Sequence, residues 1–487
     1  MSLKGDILAF RRCKTHSLYI NERILSVTVF SLFFSWLLAF PFEGRVLYAL
    51  AQYYGTDAHA LVFCAMASHF IGLVACGFFI KTIKHAQTLM QLSIVLCIVG
   101  STAFFFTPSI MWVISLLIMS FFSGGCVAAW GFYLKRYTPS KRRIKTIADG
   151  LICCNILMII INMTAIYISA YAGLGLSIFM LAAALLFTTF FTSENMRDTQ
   201  PETHKLTNKV SLIKPLVFLC LFIVVITIDS GLMYQVVNPA FEHHQWLVSW
   251  YWAVPYIAAL YIARNLSGRV NNTYMLYAAI AMIGFSFIGF MLFNRSVPSY
   301  LFVNTLMLSA CGIHDLFWWR ILAEMLDFSN NPAKVFGIGL SCNVLGVLTG
   351  GIIGNTIAST ASQVHNSAVL GFAVVFATVI ILPVLHKQLF VLLKNHALFI
   401  ELSEMPSNKK EQAIDNFMAI SGLTQRESEV AALLLRGRTY KMIAAELYLS
   451  ENTVKTHIKN IYAKFNIQSK TQLVRLLMDK RYVSTDV

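Results

Sequence analysis

The chain has 487 residues, 57% hydrophobic and only 13% charged, with a mean hydropathy of +0.66. Soluble globular domains carry about 25% charged residues, so this composition argues against a soluble enzyme or binding module and for an integral membrane protein. The formal net charge of +15 asks for anionic partners, either lipid headgroups or nucleic acid.

In chain order, a basic tail (Lys4, Arg11, Arg12, Lys14) is followed by an apolar run without a small-residue cleavage site, so no cleavable signal peptide is expected. A membrane span needs about 20 mostly apolar residues. Twelve segments qualify: 22–41, 58–80, 88–107, 110–134, 147–170, 173–192, 213–237, 246–264, 273–293, 298–319, 334–358 and 366–391. The polar stretch 193–211 divides them six plus six. With the N-terminus inside, the inner loops and tail hold 21 Lys/Arg and the outer loops two, Arg45 and Arg295. Positive charge collects on the cytoplasmic side. The expectation is a multi-pass protein of the bacterial inner membrane with both ends in the cytoplasm. The ten cysteines all precede residue 343, with no CxxC and no Cys/His cluster, and the vicinal Cys153–Cys154 reads as two small apolar residues on a span.

Twelve spans in two sixes with a long polar central loop resemble the major facilitator architecture. The resemblance rests on topology. The family's Gly-Asp-Arg-Gly-Arg-type pattern is absent after the second span, where the loop reads KTIKHAQT. NLSGR (Asn265–Arg269) is its remnant in the second half.

Ionisable residues inside lipid are costly and default to functional candidates. Asp229 sits deep in the seventh span, with Tyr234 beyond it and Trp246, Trp250 and Trp252 on the next span. These residues suggest a ligand pocket open to the outside or, for the tryptophans, an interfacial belt. His314 and Asp315 are expected near the inner end of the tenth span, where Asp315 has Arg320 or Lys334 as possible partners. His69 reads as a hydrogen-bonded packing residue, and Asp149 as a neutraliser of the adjacent basic loop. The candidate ligand residues are therefore Asp229, Tyr234, His314, Asp315 and His69.

After the last span, residues 386–404 are expected to continue as a helix, 405–410 to form a linker and 411–419 a short amphipathic helix. The expected division is a membrane-embedded domain at 1–395, a linker helix and hinge at 396–422, and a DNA-binding domain at 423–487. From Pro406 onward 13 Lys/Arg oppose 8 Asp/Glu. Thr424 and Glu427 form a capping box. The helix they open buries Val430, Leu433 and Leu434 and stops at Gly437. Thr439 caps the next helix, which buries Ile443, Ala444 and Leu447. After the turn 448–450, Ser450 caps a third, with Val454, Ile458, Ile461 and Phe465 on one buried stripe. Its other face carries Asn452, Lys455, Thr456 and Lys459, a polar-basic surface suited to the major groove. Ser469 with Gln472 caps a fourth, with Leu473, Leu476 and Leu477 as its apolar surface.

This pattern, LTQRESEV…G…YKMIAAELYLSENTVKTHIKNIYAKF, resembles the LuxR-type helix-turn-helix over about 50 residues, departing mildly at Met442, Leu449 and Phe465. The resemblance implies base contacts by Lys455, Thr456 and Lys459. It implies phosphate contacts by Thr453, His457 and Lys441, and a homodimer on double-stranded promoter DNA formed through the fourth helix.

Overall the expectation is an all-α protein: a twelve-helix membrane bundle followed by a small four-helix DNA-binding domain. No receiver domain, nucleophile–base constellation, metal cluster or cofactor loop is seen, so neither enzyme activity nor a cofactor or metal is expected. The membrane body, in contact with lipid, becomes the sensor of an unidentified small-molecule inducer. The alternative is a secondary transporter with an autoregulatory tail.

Overall fold

The computed structural model describes residues 21–42, 44–191, 212–266, 272–358, 363–467 and 470–478. The basic N-terminal tail, the polar stretch between the halves and the Ser469 cap lie outside them. The described residues form helices joined by turns and short loops, without a strand. Hydrocarbon offers backbone amides no partner, so a spanning segment must satisfy them internally, as a helix does.

Among the described residues, twelve helices are long and apolar enough to span: Glu22–Ala39, Ala58–Phe79, Ile83–Phe105, Ile110–Tyr137, Ser140–Tyr167, Ala170–Thr188, Ile213–Val237, Trp246–Leu266, Tyr274–Leu292, Val297–Phe328, Pro332–Ala358 and Val364–Leu389. They coincide with the expected segments. The main differences are that the third and fifth spans begin earlier and the tenth runs to Phe328. Their outward sides keep large apolar residues exposed (Phe79, Ile168, Phe376 and Ile380 among them), as lipid contact requires. The protein is thus a multi-pass membrane protein.

Between the first two spans the chain forms a further helix, Arg45–Tyr54, that span-length reasoning passes over. It buries Val46, Leu47, Leu50 and Ala51 and ends at Gly55, whose φ of 67° is the left-handed conformation of a helix cap.

The chain divides into two compact units, Met1–Met196 with Leu219–Leu382, and Arg197–Phe218 with Pro383–Val487. In the first unit, spans 1 to 6 and spans 7 to 12 meet where span 11 packs on spans 2 and 4, and where span 5 packs on spans 8 and 10. Backbones approach closely here. A Cβ at Gly337 would collide with the Leu73 carbonyl, and one at Gly131 would press on that of Pro332.

The halves are also tied by charge at the face that bears the basic loops. Asp149 of span 5 accepts Arg23 Nη2 of span 1 at Oδ2 and Arg264 Nε of span 8 at Oδ1, both at 2.7 Å. Arg143 Nη2 meets Asp327 at 2.7 Å, and Lys135 Nζ donates to the Ser329 carbonyl at 2.9 Å. Asp149 therefore joins two arginines from opposite halves, rather than only neutralising its own loop.

In the second unit the twelfth span continues as one helix, Gln363–Glu404, with Pro383 inside it. Five helices follow: α1 (Ser407–Ile420), α2 (Gln425–Leu435), α3 (Tyr440–Glu446), α4 (Glu451–Lys464) and α5 (Lys470–Leu477). Their shared core includes Ala413, Ile414 and Phe417 of α1, Val430 and Leu434 of α2, Ile443 of α3, Val454, Ile458 and Ile461 of α4, and Leu473, Val474 and Leu477 of α5. Helix α1, read from sequence as lying within the linker, is one wall of this core.

Asp149→Asn leaves one acceptor oxygen for two arginines and removes the charge that offsets them. The expected loss is about 1–3 kcal/mol, seen as a lower thermal midpoint of the purified membrane protein. An unchanged midpoint would show that the clasp contributes nothing.

Candidate DNA-binding surface and buried polar cluster

Helix α2 starts at a complete capping box. The Thr424 side chain accepts the Glu427 amide, and Glu427 Oε2 accepts the Thr424 amide at 2.9 Å. The same oxygen receives Lys464 Nζ from the end of α4 at 2.6 Å. Glu427 is 5% exposed. The Lys464 ammonium, followed by the Thr424 amide, holds its carboxyl down at about 2. One carboxylate thus starts one helix and fixes the far end of another.

Arg426 completes the frame, a role that pattern matching did not assign. Its Nη2 donates to the Leu447 carbonyl at 2.6 Å, and its Nη1 meets Glu429 at 2.7 Å. This ties the start of α2 to the turn between α3 and α4. Tyr448, in that turn, has a φ of 54° and is 95% exposed. Ser450 then caps α4 by accepting the Thr453 amide at 3.0 Å.

On α4 the buried side is Val454, Ile458 and Ile461. Asn452, Lys455, Thr456 and Lys459 are exposed, and Thr453 and His457 half-buried. The Thr456 hydroxyl turns back to the Asn452 carbonyl at 3.0 Å. No carboxylate among the described residues pairs with Lys455 or Lys459. Lys441 is exposed on α3. The structure thus brings Asn452, Lys455, Thr456 and Lys459 onto one open face.

Helix α5 departs from the expected display. Leu473 and Leu477 are fully buried in the domain's own core, and Leu476 half-buried. Lys470 is also buried, 8% exposed. Burial, with Lys410 nearby, pulls its ammonium down to about 7.

Inside the membrane body the candidates separate. His69 Nδ1 shares a hydrogen bond with Ser123 Oγ at 2.7 Å, and its ring packs edge-on to Phe42, so it packs as expected. Asp229 is 2% exposed. Trp246, 67% exposed, pairs instead with Trp250. Tyr234 lies in a π-helical turn, Met233–Val237, just beyond Asp229.

His314 and Asp315 are not near the inner end of their span, because that helix continues to Phe328. Asp315 pairs with neither Arg320 nor Lys334. It accepts the Tyr256 hydroxyl at 3.0 Å and Trp318 Nε1 at 3.1 Å. Arg320 binds Glu324, and Lys334 lies over the Phe78 ring. Ser230, next to Asp229, lies 3.9 Å from Cys311, one turn before His314, so spans 7 and 10 bring buried Asp229 and His314 and half-buried Asp315 into one region.

These features define a polytopic helical membrane protein that carries a helix-turn-helix DNA reader. The family model of bacterial regulatory proteins of the luxR family (GerE) matches residues 421–477. The spore germination protein GerE of Bacillus subtilis is 46% identical over 52 residues, 11% of this chain and 70% of that protein. The chain belongs to the luxR family of bacterial regulatory proteins. It spans less than a third of the length of the DegU, LiaR and YhcZ regulators that it also resembles. Among solved structures, the human organic anion transporter MFSD10 aligns with a TM-score of 0.55 at 13% identity, over 73% of this chain and 98% of that one. The major facilitator superfamily proton:xylose symporter XylE aligns with a TM-score of 0.55 at 12% identity, over 74% and 95%. The membrane body therefore has a major facilitator-like fold.

Two pH responses follow for a fragment starting at Met405. Glu427 is held below its ordinary value of 4.5, so its contribution is present above 4.5 and lost as pH falls through about 2. Glu427→Gln should remove that acid dependence and lower stability at neutral pH by about 2 kcal/mol. Lys470 is held below its ordinary 10.5, so the folded state gains stability as pH rises from about 7 to 10.5. Lys470→Met should flatten that rise. Urea titrations across pH read both, and wild-type slopes in either variant would refute its assignment.

Proposed function

We propose that this chain is a membrane-bound one-component transcription regulator. Residues 1–395 form the sensing membrane domain, 396–422 the connecting segment and 423–487 the DNA-binding domain. The protein sits in the bacterial inner membrane with both ends cytoplasmic, as the loop charges favour. A small molecule acting on the membrane domain shifts it between two states, by no more than its differential affinity for them. The second unit passes the shift to promoter DNA, which it reads as a homodimer.

The observation that carries this reading is the open basic face of α4, exposed at Lys455 and Lys459, on a chain whose other described helices are mostly spans. Lys455, Thr456 and Lys459 are assigned to bases, and Thr453, His457 and Lys441 to phosphates. A second reading, a transporter whose tail regulates its own expression, is favoured by the likeness to two transporters over nearly their full length. Uptake of the inducer into proteoliposomes would favour it.

Duplexes selected from a random library by the full-length protein in nanodiscs should converge on a two-fold symmetric site. Lys455→Ala with Lys459→Ala should abolish retardation of that site and leave the helical signal unchanged. Equal DNA affinity in the double variant would overturn the assignment, and failure to select any site would overturn the regulator reading.

A further inference from the structure

Among the described residues, the buried side-chain atoms without a hydrogen bond include several hydroxyls and amides. The only carboxyl and the only imidazole among them are those of Asp229 and His314. Both oxygens of Asp229 lack a donor, and the residue is 2% exposed. His314 is 1% exposed, and its Nε2 has no partner. Its Nδ1 lies 3.1 Å from Asp315 Oδ1, close enough to pair charges but not aligned as a hydrogen bond.

Asp315 is well supplied. Tyr256 and Trp318 donate to it, and His314 stands beside it. The arginines around this part of the body are committed elsewhere: Arg264 to Asp149, Arg143 to Asp327 and Arg320 to Glu324. The cluster therefore holds two carboxyls against one imidazole, already beside Asp315. Asp229 is short of a positive partner. An unpartnered carboxylate in a water-poor interior costs several kcal/mol.

The surroundings say what kind of partner fits. Phe222, two helical turns from Asp229, meets Phe317, one turn from His314, with centroids 5.9 Å apart. Spans 7 and 10 also touch beside the cluster, where Ser230 Oγ lies 3.9 Å from Cys311 Sγ. Tyr256 and Trp318 add aromatic surface from spans 8 and 10. Aromatic faces attract cations. Span 7 changes to a π-helical turn at Met233–Val237, one turn past Asp229, a distortion frequent at functional sites.

We propose that Asp229, with His314 and Asp315, is the recognition site of the membrane body for an organic ammonium ion with an apolar or aromatic body. Asp229 accepts the ammonium N–H groups and supplies the missing counter-charge. The aromatic rings take the body of the ligand. In the present conformation Asp229 and His314 are shut off from solvent, so entry requires the spans around them to part. The proposal rests on the reading of the membrane body as the sensing part of the protein.

The test uses the full-length protein in nanodiscs with phenethylammonium, the neutral 2-phenylethanol and the anionic phenylacetate, at pH 6 to 8. Phenethylammonium should raise the thermal midpoint in a saturable way, and the other two should not. Asp229→Asn, nearly isosteric, should weaken that response at least tenfold, while Asp229→Glu should recover part of it. The unliganded midpoint of each variant reports whether it folds. Should Asp229→Asn not fold, the comparison of the three probes on the wild type decides. An equal response to 2-phenylethanol, a full response in folded Asp229→Asn, or no response to phenethylammonium overturns the proposal. Output that follows pH alone, without ammonium binding, overturns it in favour of a proton site. DNA binding by the same preparation is read separately. A failed ligand class with intact DNA binding leaves the regulator reading standing.

Discussion

The constraint on which the membrane body depends is that hydrocarbon cannot hydrogen-bond. Every amide in a span must find its partner within its own helix, and every buried side-chain polar group must find one on a neighbour. Most do. Trp130 Nε1 reaches Ser26, Trp36 Nε1 reaches Ser101, and His69 shares its bond with Ser123. Against this background an ionisable pair left without hydrogen bonds is conspicuous. The same constraint explains where ion pairs are placed. The arginine–aspartate contacts join the halves at the ends of the spans, where water still reaches, while the interior contact between halves is glycine against backbone.

In the second unit the organising interaction is different. Glu427 is at once the cap of α2 and the partner of Lys464 at the end of α4. Arg426 beside it holds the turn before α4. Two adjacent residues of one helical turn thus set where the exposed face of α4 begins and ends. Asn452, Lys455, Thr456 and Lys459 need make no structural contact of their own beyond the helix, and they remain free to meet a groove.

Much of this was legible in the order of residues, because the signals are local. Span length is a count of apolar residues, and loop charge is independent of it. The capping box and the steps of Val454, Ile458 and Ile461 lie within a few turns. What was not legible depends on residues far apart in the chain. Asp149 looked like a neighbour of its basic loop, because nothing local shows that Arg23 and Arg264 reach it. Asp315 seemed to belong with Arg320 until the tenth helix proved longer and Tyr256 proved nearer. Arg426 matched a pattern without revealing that it holds Leu447. Leu473 and Leu477 seemed to offer a surface, because the sequence does not show that α1 covers them.

The continuous helix Gln363–Glu404 has a mechanical consequence. Only Met405 and Pro406 separate it from α1, so no long flexible leash connects the bilayer to the DNA reader. At 1.5 Å per residue the whole helix is about 60 Å long, and a good part of that is spent inside the membrane. A reader mounted this way does not search the volume of the cell. On the proposed reading it samples only the shell of DNA that drifts against the membrane. On that regulator reading, pairing of two readers becomes a lateral encounter within a sheet, governed by copies per area of membrane rather than by concentration in solution.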